Sequence, residues 1–194
     1  MKGKELREAQ EEIKSYGYVP LTSQSPARGT RASDLSKQDV KEINEIRGYP
    51  FKNPELLKAA FVHSSLSDNT TFERLEFMGD RVIAGLVASN LDCDSFLSEG
   101  EMRRYFTPKT KNTYFAERYE ALRLSRFLRF NPGSSKEKVY ADAFEALIGA
   151  ISLDWKEEHP HLYRTGRVFQ ILSPVLEKMI PSGASFICEN FSSS

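Results

Sequence analysis

The sequence predicts an all-helical (all-α) fold, and three observations support this fold class. Two long segments, residues 72–91 and 137–155, repeat apolar side chains at the spacing of an α-helix. No stretch alternates apolar and polar residues in the manner of a series of strands. No repeat period is visible along the chain. We therefore expect one helical domain, for which 194 residues with 40% hydrophobic content can supply a core.

The chain is expected to divide into three parts. Residues 1–37 combine a short charged helix over 4–16 with a linker rich in Ser, Thr, Pro and Gly. Residues 38–180 form the helical domain, and residues 181–194 form a disordered tail.

Start and stop signals place the helices of this domain. A first helix begins at Lys37 and ends before Pro50, and Asn53 followed by Pro54 marks the N-cap and first turn of the next. The elements predicted after these are a polar loop over 64–71, a helix over 72–91, a loop over 92–100, helices over 101–107 and 112–121 separated by a break at Pro108, a short buried helix over 121–130, a turn at 131–135, a helix over 137–155 and a last helix over 163–180 that contains Pro174.

Three carboxylates stand on one face of the first long helix. At about 100° per residue, Glu73, Glu76 and Asp80 lie within roughly 60° of one another. Apolar side chains cover the rest of this helix, so we expect it to be nearly buried, where unpaired carboxylates are costly. The apolar residues are Leu75, Phe77, Met78, Val82, Ile83 and Leu86.

A second acidic face occurs on the other long helix. Asp142 and Glu145 are three residues apart amid small and apolar side chains, so they share a face. Two mostly apolar helices, each with an acidic stripe, predict a pocket in which carboxylates converge on hard divalent cations.

The charge distribution adds a candidate binding surface. Basic and acidic residues number 27 each, so the formal net charge of zero favours no partner of either sign. From Arg103 to Lys138, however, ten basic residues stand against three acidic ones, which gives this segment a net charge of +7. Such a segment between two carboxylate motifs suits a surface that contacts phosphates, although a solvated helical face remains the alternative.

The two acidic segments carry a family resemblance. ERLEFMGD at 73–80 and ADAFEALIGAISLD at 141–154 resemble the paired signature of the ribonuclease III family, and the likeness extends over roughly residues 38–180. Further matching segments are Gly48-Tyr49, Phe51–Leu57, His63-Ser64-Ser65, Glu99–Met102, Asn112-Thr113 and Leu128–Gly133.

The resemblance implies the ribonuclease III endonuclease domain fold and a metal-dependent endonuclease that cuts double-stranded RNA, leaving 5′-phosphate and 3′-hydroxyl ends. It also implies a homodimer, or a heterodimer or RNA-processing complex, and Mg²⁺ as cofactor with Mn²⁺ as a substitute. By the same resemblance Glu76, Asp80, Asp142 and Glu145 bind metal and Asp80 and Glu145 are essential to catalysis. Glu73 and Glu99 are auxiliary acids of the same valley.

Three departures from the family pattern are visible. Phe72 stands where an Asn is usual, and Arg81 follows Asp80 where a small residue is usual. Arg81 could pair with Asp80 or reach phosphate. Only 40 residues follow Asp154, so we expect no double-stranded-RNA-binding domain within the chain and weak, salt-sensitive RNA binding.

Other interpretations stay open beside the nuclease. The chain could be a noncatalytic RNA-binding or structural relative, such as those of mitochondrial large ribosomal subunits, with its acids paired to arginines. His63, at a helix end, is expected to be a structural residue, and Glu99 could be an acid favoured at a helix start.

The expected environment of the chain follows from its cysteines and hydropathy. Cys93 and Cys188 lack metal spacing and are interpreted as free thiols. No uninterrupted apolar run is long enough for a bilayer, and the N-terminus resembles neither a signal nor a transit peptide. We expect a soluble, intracellular protein of the cytoplasm or nucleus without membrane contact.

Overall fold

The computed structural model describes residues 35–47, 49–66, 69–89 and 97–158, together with Met179. These residues contain six α-helices and no strand, so the predicted all-α class is confirmed. None of these helices combines the length and apolarity needed to cross a bilayer. The helices are α1 (Lys37–Arg47), α2 (Pro54–Ala60), α3 (Thr70–Ser89), α4 (Glu99–Lys109), α5 (Asn112–Ala121) and α6 (Lys136–Glu158).

Several predicted elements lie outside the described residues. They are the N-terminal charged helix and its linker up to residue 34, the last helix over 163–180 apart from Met179, the tail over 181–194 and both cysteines.

Side-chain caps explain where three helices begin. The Asn53 side chain accepts a hydrogen bond from the Glu55 amide at 3.1 Å, which is the predicted N-cap of α2. At α4 the Ser98 hydroxyl and the Glu101 carboxylate form a capping box. The helix therefore begins at Glu99, two residues before the predicted start. Asn69 caps α3 by accepting from the Phe72 amide at 3.2 Å.

The predicted break after Pro108 is present, although its position differs slightly. Pro108 is tolerated within the last turn of α4, and the helix ends at Lys109. The next helix, α5, begins at Asn112 as predicted.

The predicted short buried helix over 121–130 is wrong. Arg123 adopts a left-handed conformation with φ of 56°, which an α-helix cannot continue through. Beyond it the chain forms only a 3₁₀ turn, Ser125–Phe127. Leu124 and Leu128 are nevertheless buried, so the apolar residues reach the core without a helix to carry them.

The long helix α6 forms the centre of the described domain, and α2, α3 and α5 pack on it. Two glycines set how closely α3 approaches. A Cβ atom at Gly79 would lie 1.8 Å from the carbonyl oxygen of Glu145, and one at Gly149 would lie 2.0 Å from the carbonyl oxygen of Leu75. No side chain fits at either place, so the two helices touch through their main chains.

A short backbone bridge joins the loops that precede α3 and α6. Val62 pairs with Arg129 in a parallel bridge. The His63 amide donates to the Arg129 carbonyl at 2.9 Å, and the Arg129 amide donates to the Phe61 carbonyl at 3.0 Å. The main chain at His63 is therefore fixed by hydrogen bonds to the loop that precedes α6.

A buried carboxylate anchors the start of α2 to the far part of α6. Asp154 is 1% exposed and accepts hydrogen bonds from the Tyr49 hydroxyl at 2.9 Å and from the amides of Lys52 at 3.1 Å and Asn53 at 2.7 Å. Three donors compensate the burial of this charge, so Asp154 is structural.

The expectation that apolar residues bury all of α3 around its acids is wrong at Phe77. This residue is 59% exposed, because none of the described helices covers its face of α3. The guanidinium of Arg81 lies 4.9 Å from the centre of its ring.

Candidate functional site

An open pocket of about 880 Å³ lies where α3 crosses α6. Acids from both helices line it, together with hydroxyl side chains of the neighbouring loops, the Asn112 amide of α5, His63 and Lys138. The acids are Glu73, Glu76, Asp80, Asp142 and Glu145.

Three of these acids form a tight cluster. One carboxylate oxygen from each of Glu76, Asp142 and Glu145 lies within 4.8 Å of the other two. The spacing of Asp142 and Glu145 along α6 places both on one face, and the main-chain contact at Gly79 brings α3 close enough for Glu76 to join them. The cluster therefore depends on the close approach of α3 and α6 at Gly79 and Gly149.

The electrostatics of the cluster favour a bound cation. Burial, together with the charges of Asp80, Glu76 and Asp142, raises the pKa of Glu145 to about 8. Burial and the charge of Asp142 also raise the pKa of Glu76. Since Glu76 and Glu145 resist ionisation beside the other acids, a divalent cation or protons must balance the site.

Two hydrogen-bond donors hold Asp142 in its ionised form. The Lys138 ammonium donates to its Oδ2 at 2.7 Å, and His63 Nε2 lies 3.3 Å from the same oxygen. Burial raises the pKa of Asp142, but these hydrogen bonds outweigh burial and leave the pKa below its ordinary value. The hydrogen bond to Asp142 in turn raises the pKa of Lys138.

Asp80 lines the pocket but pairs with its neighbour in the chain. Arg81 Nη1 donates to Asp80 Oδ2, which is one of the two outcomes that the sequence left open for Arg81. Asp80 is not part of the three-oxygen cluster, although its charge acts on Glu145. The two side chains are 39% and 62% exposed, so the ion pair is a surface pair of modest strength.

The two auxiliary acids differ in position. Glu73 lines the pocket, and its charge contributes to the raised pKa of Glu76. Glu99 does not line the pocket. Its side chain is 80% exposed and pairs with Arg103 at 2.8 Å, so its role in the site remains a prediction from the family resemblance.

Four residues contribute to this site without a predicted role in it. The basic segment predicts only a phosphate contact for Lys138, although its spacing of four residues from Asp142 indicates a contact on one helix face. His63 was assigned to structure alone, and no local signal places it against Asp142. Gly79 and Gly149 belong to the two family motifs, but their main-chain contacts depend on the packing of two distant segments, which no local pattern indicates.

The chain matches known proteins over the same region. The model of the family described as Ribonuclease-III-like matches residues 53–160. Ribonuclease 3 of Campylobacter concisus is 36% identical over 124 residues, which cover 60% of this chain and 56% of that protein. Ribonuclease 3 of Protochlamydia amoebophila is 38% identical over 119 residues, which cover 55% and 49%. The chain thus spans about half the length of the curated relatives it matches.

Solved structures agree with these matches. The nuclease domain of ribonuclease III from Campylobacter jejuni aligns with a TM-score of 0.60 and 27% identity over 74% of this chain and 97% of that one. A second structure of the same domain, whose description concerns flexibility in a region involved in dimer formation, aligns with a TM-score of 0.59 and 28% identity over 73% and 99%. The family model and the similar curated proteins both match the region of the acid-bearing helices. This chain therefore belongs to the ribonuclease III family.

Proposed function

We propose that this chain carries the catalytic domain of a metal-dependent endonuclease that hydrolyses the phosphodiesters of double-stranded RNA. The products would be 5′-phosphate and 3′-hydroxyl ends. The observation that carries the proposal is the convergence of Glu76, Asp142 and Glu145, with oxygens within 4.8 Å, in an open pocket. Membership of the ribonuclease III family supplies the class of reaction.

The donor set fits a hard divalent cation. Glu76, Asp142 and Glu145 offer only carboxylate oxygens, which Mg²⁺ prefers and Mn²⁺ accepts. We propose Asp80, which lines the same pocket, as the fourth ligand. A bound ion of this kind lowers the pKa of the attacking water and stabilises the leaving oxygen. The raised pKa of Glu145 supports this assignment, because a bound cation would stabilise the ionised carboxylate against the burial and the neighbouring charges that raise its pKa.

The remaining groups act on the RNA and on the acids. The Lys138 side chain is 65% exposed and its ammonium has three donors, so it can hold Asp142 and contact a phosphate oxygen together. Glu73 adds negative charge beside Glu76. In the reaction a water oxygen bonds to phosphorus as the bond from phosphorus to O3′ breaks, and O3′ leaves with a proton.

We propose that the domain acts as a dimer. Phe77 lies beside the acids on α3 and its side chain is exposed. Exposure of a large apolar side chain to water is unfavourable, so this surface suits contact with a second subunit. A Campylobacter jejuni relative has a described region of dimer formation. We assign the active form to a homodimer, with a heterodimer or a larger RNA-processing complex as the other arrangements.

The substrate would be recognised by shape. A-form RNA presents phosphates and 2′-hydroxyls rather than readable base edges, so contacts from basic side chains would dominate and weaken with salt. We assign the proposed activity to the cytoplasm or nucleus.

Cleavage of an end-labelled RNA duplex tests the function. Wild type should cut in Mg²⁺ and in Mn²⁺, and both Asp80→Asn and Glu145→Gln should abolish cutting while the protein stays folded by circular dichroism. Glu137→Gln is the matched control, because this exposed acid of α6 does not line the pocket. A wild-type protein that leaves duplex RNA intact in both metals across a range of salt would exclude the nuclease and leave a noncatalytic RNA-binding role.

A further inference from the structure

His63 has both ring nitrogens engaged in a nearly dry environment. The residue is 6% exposed. The Ser65 amide donates to Nδ1 at 2.9 Å, so Nδ1 is the unprotonated nitrogen of the neutral ring. The proton is then on Nε2, which faces Asp142 Oδ2 at 3.3 Å. One backbone amide therefore selects the tautomer that can donate to Asp142.

The surroundings also fix the direction of the ring. The main chain at His63 is held by the bridge between Val62 and Arg129. The ring packs against Phe72, with 4.8 Å between the ring centres. Neither contact involves the pocket, so the imidazole is oriented before any ligand arrives.

Both donors to Asp142 contact the same oxygen. Lys138 and His63 reach Oδ2, and neither contacts Oδ1. Lys138 is largely exposed and has a flexible stem, whereas His63 is buried and rigidly held. Of the two donors, His63 is therefore the one that can fix the orientation of the Asp142 carboxylate plane.

We propose that His63 is a positioning residue that orients Asp142, so that its Oδ1 is directed at the cation of the carboxylate cluster. The inference rests on the proposed function, because it assumes that Asp142 is a metal ligand. Donors that orient a ligand in this way typically change metal affinity by about 10- to 100-fold when removed. His63 thus carries a role in addition to the structural one expected from its sequence context.

Two substitutions separate orientation from packing. The amide of Gln reaches the place of Nε2, so His63→Gln should keep the bond to Asp142. The shorter Asn matches Nδ1, so His63→Asn should keep the Ser65 contact and lose Asp142. Phe72→Leu is the packing control, because it removes the ring contact and no hydrogen bond.

The main measurement is Mn²⁺ binding, which is monitored by the electron paramagnetic resonance signal of the free ion. His63→Asn should bind Mn²⁺ about 10-fold more weakly than wild type, and His63→Gln and Phe72→Leu should stay within about 3-fold. The kcat of RNA cleavage should fall for His63→Asn at low Mg²⁺ and recover at high Mg²⁺, while the KM for RNA stays unchanged. Equal Mn²⁺ affinity of the Asn and Gln variants would overturn the proposal.

Nitrogen-15 spectra of the metal-free protein give a second test that needs no activity. The Nε2-protonated tautomer is expected for His63, and the Nδ1-protonated tautomer would overturn the proposal. Wild-type protein that binds no Mn²⁺ would overturn the metal site itself and this inference with it. Normal wild-type binding that His63→Asn leaves unchanged would overturn this inference alone.

Discussion

Gly79 lies directly against the main chain of Glu145, with only 1.8 Å between the place of a Cβ atom at residue 79 and the Glu145 carbonyl oxygen. The side chain of the same Glu145 belongs to the three-carboxylate cluster. The contact that packs two helices and the geometry of the candidate site therefore share one residue.

Replacing Gly79 by Ala should separate the two helices. The added methyl group meets backbone atoms, which cannot rotate away, so we expect a loss of about 3 kcal/mol of unfolding free energy. Mn²⁺ affinity should fall in parallel, because Glu76 moves away from Asp142 and Glu145. Urea denaturation with Mn²⁺ titration checks both.

Gly100→Ala is the matched control for this change. A Cβ atom at Gly100, in the first turn of α4, would meet nothing within 4 Å, so the variant should be as stable as wild type or slightly more so. Equal stability of the Gly79 and Gly100 variants would contradict a main-chain contact between α3 and α6.

Metal binding should release protons near neutral pH. Because the pKa of Glu145 is raised to about 8, the metal-free site holds a proton at pH 7 that a cation must displace. Calorimetric titration with Mg²⁺ in two buffers of different ionisation enthalpy should give about one proton released at pH 7, and less at pH 9. The absence of release at pH 7 would show that Glu145 is already ionised.

The same acid should make metal-free stability depend on pH. Between the ordinary glutamate pKa of 4.5 and about 8, the folded protein holds a proton that the unfolded chain has lost. Unfolding free energy therefore falls as pH rises through this interval. Glu145→Gln should be stabilised relative to wild type at pH 9 by about 2 kcal/mol after allowance for solvent screening, and much less at pH 5. Thermal melts in chelator test this, and a difference that does not vary with pH would refute it.

Arg81 should weaken the site only modestly. Its ion pair with Asp80 is partly exposed, and such pairs contribute about 0–1 kcal/mol. Arg81→Ser should therefore tighten Mn²⁺ binding by no more than about 5-fold. A gain far beyond this, measured by the same Mn²⁺ titration, would mean that Arg81 suppresses metal binding in the native chain.

Phe77 should support association of two subunits. Phe77→Ser should shift sedimentation from dimer toward monomer, because the exposed ring would lose its apolar contact. Met102→Ser, at another exposed apolar residue on α4, should leave sedimentation unchanged. Unchanged sedimentation of both variants would place any dimer contact elsewhere.

Periodicity predicted the helices and the shared face of their acids because these properties depend on neighbours in the chain. Asp142 and Glu145 needed only helical spacing to be placed side by side, and the N-cap at Asn53 needed only local residue types. The identification of the family came from two motifs that cover these same helices.

Properties that depend on distant contacts were not predictable in this way. The apolar pattern placed Phe77 in the core, because spacing alone does not tell which face another helix covers. The left-handed Arg123 ended a predicted helix without a Gly or Asn signal. The arrangement of His63 against Asp142 spans residues far apart in the chain, so no local pattern encodes it.

The bridge between Val62 and Arg129 has a consequence for variation among related chains. It links the loop before α3 to the loop before α6 through main-chain hydrogen bonds. An insertion in either loop would therefore displace the His63 imidazole from the Asp142 carboxylate. Related chains that retain this site should therefore keep the lengths of both loops together.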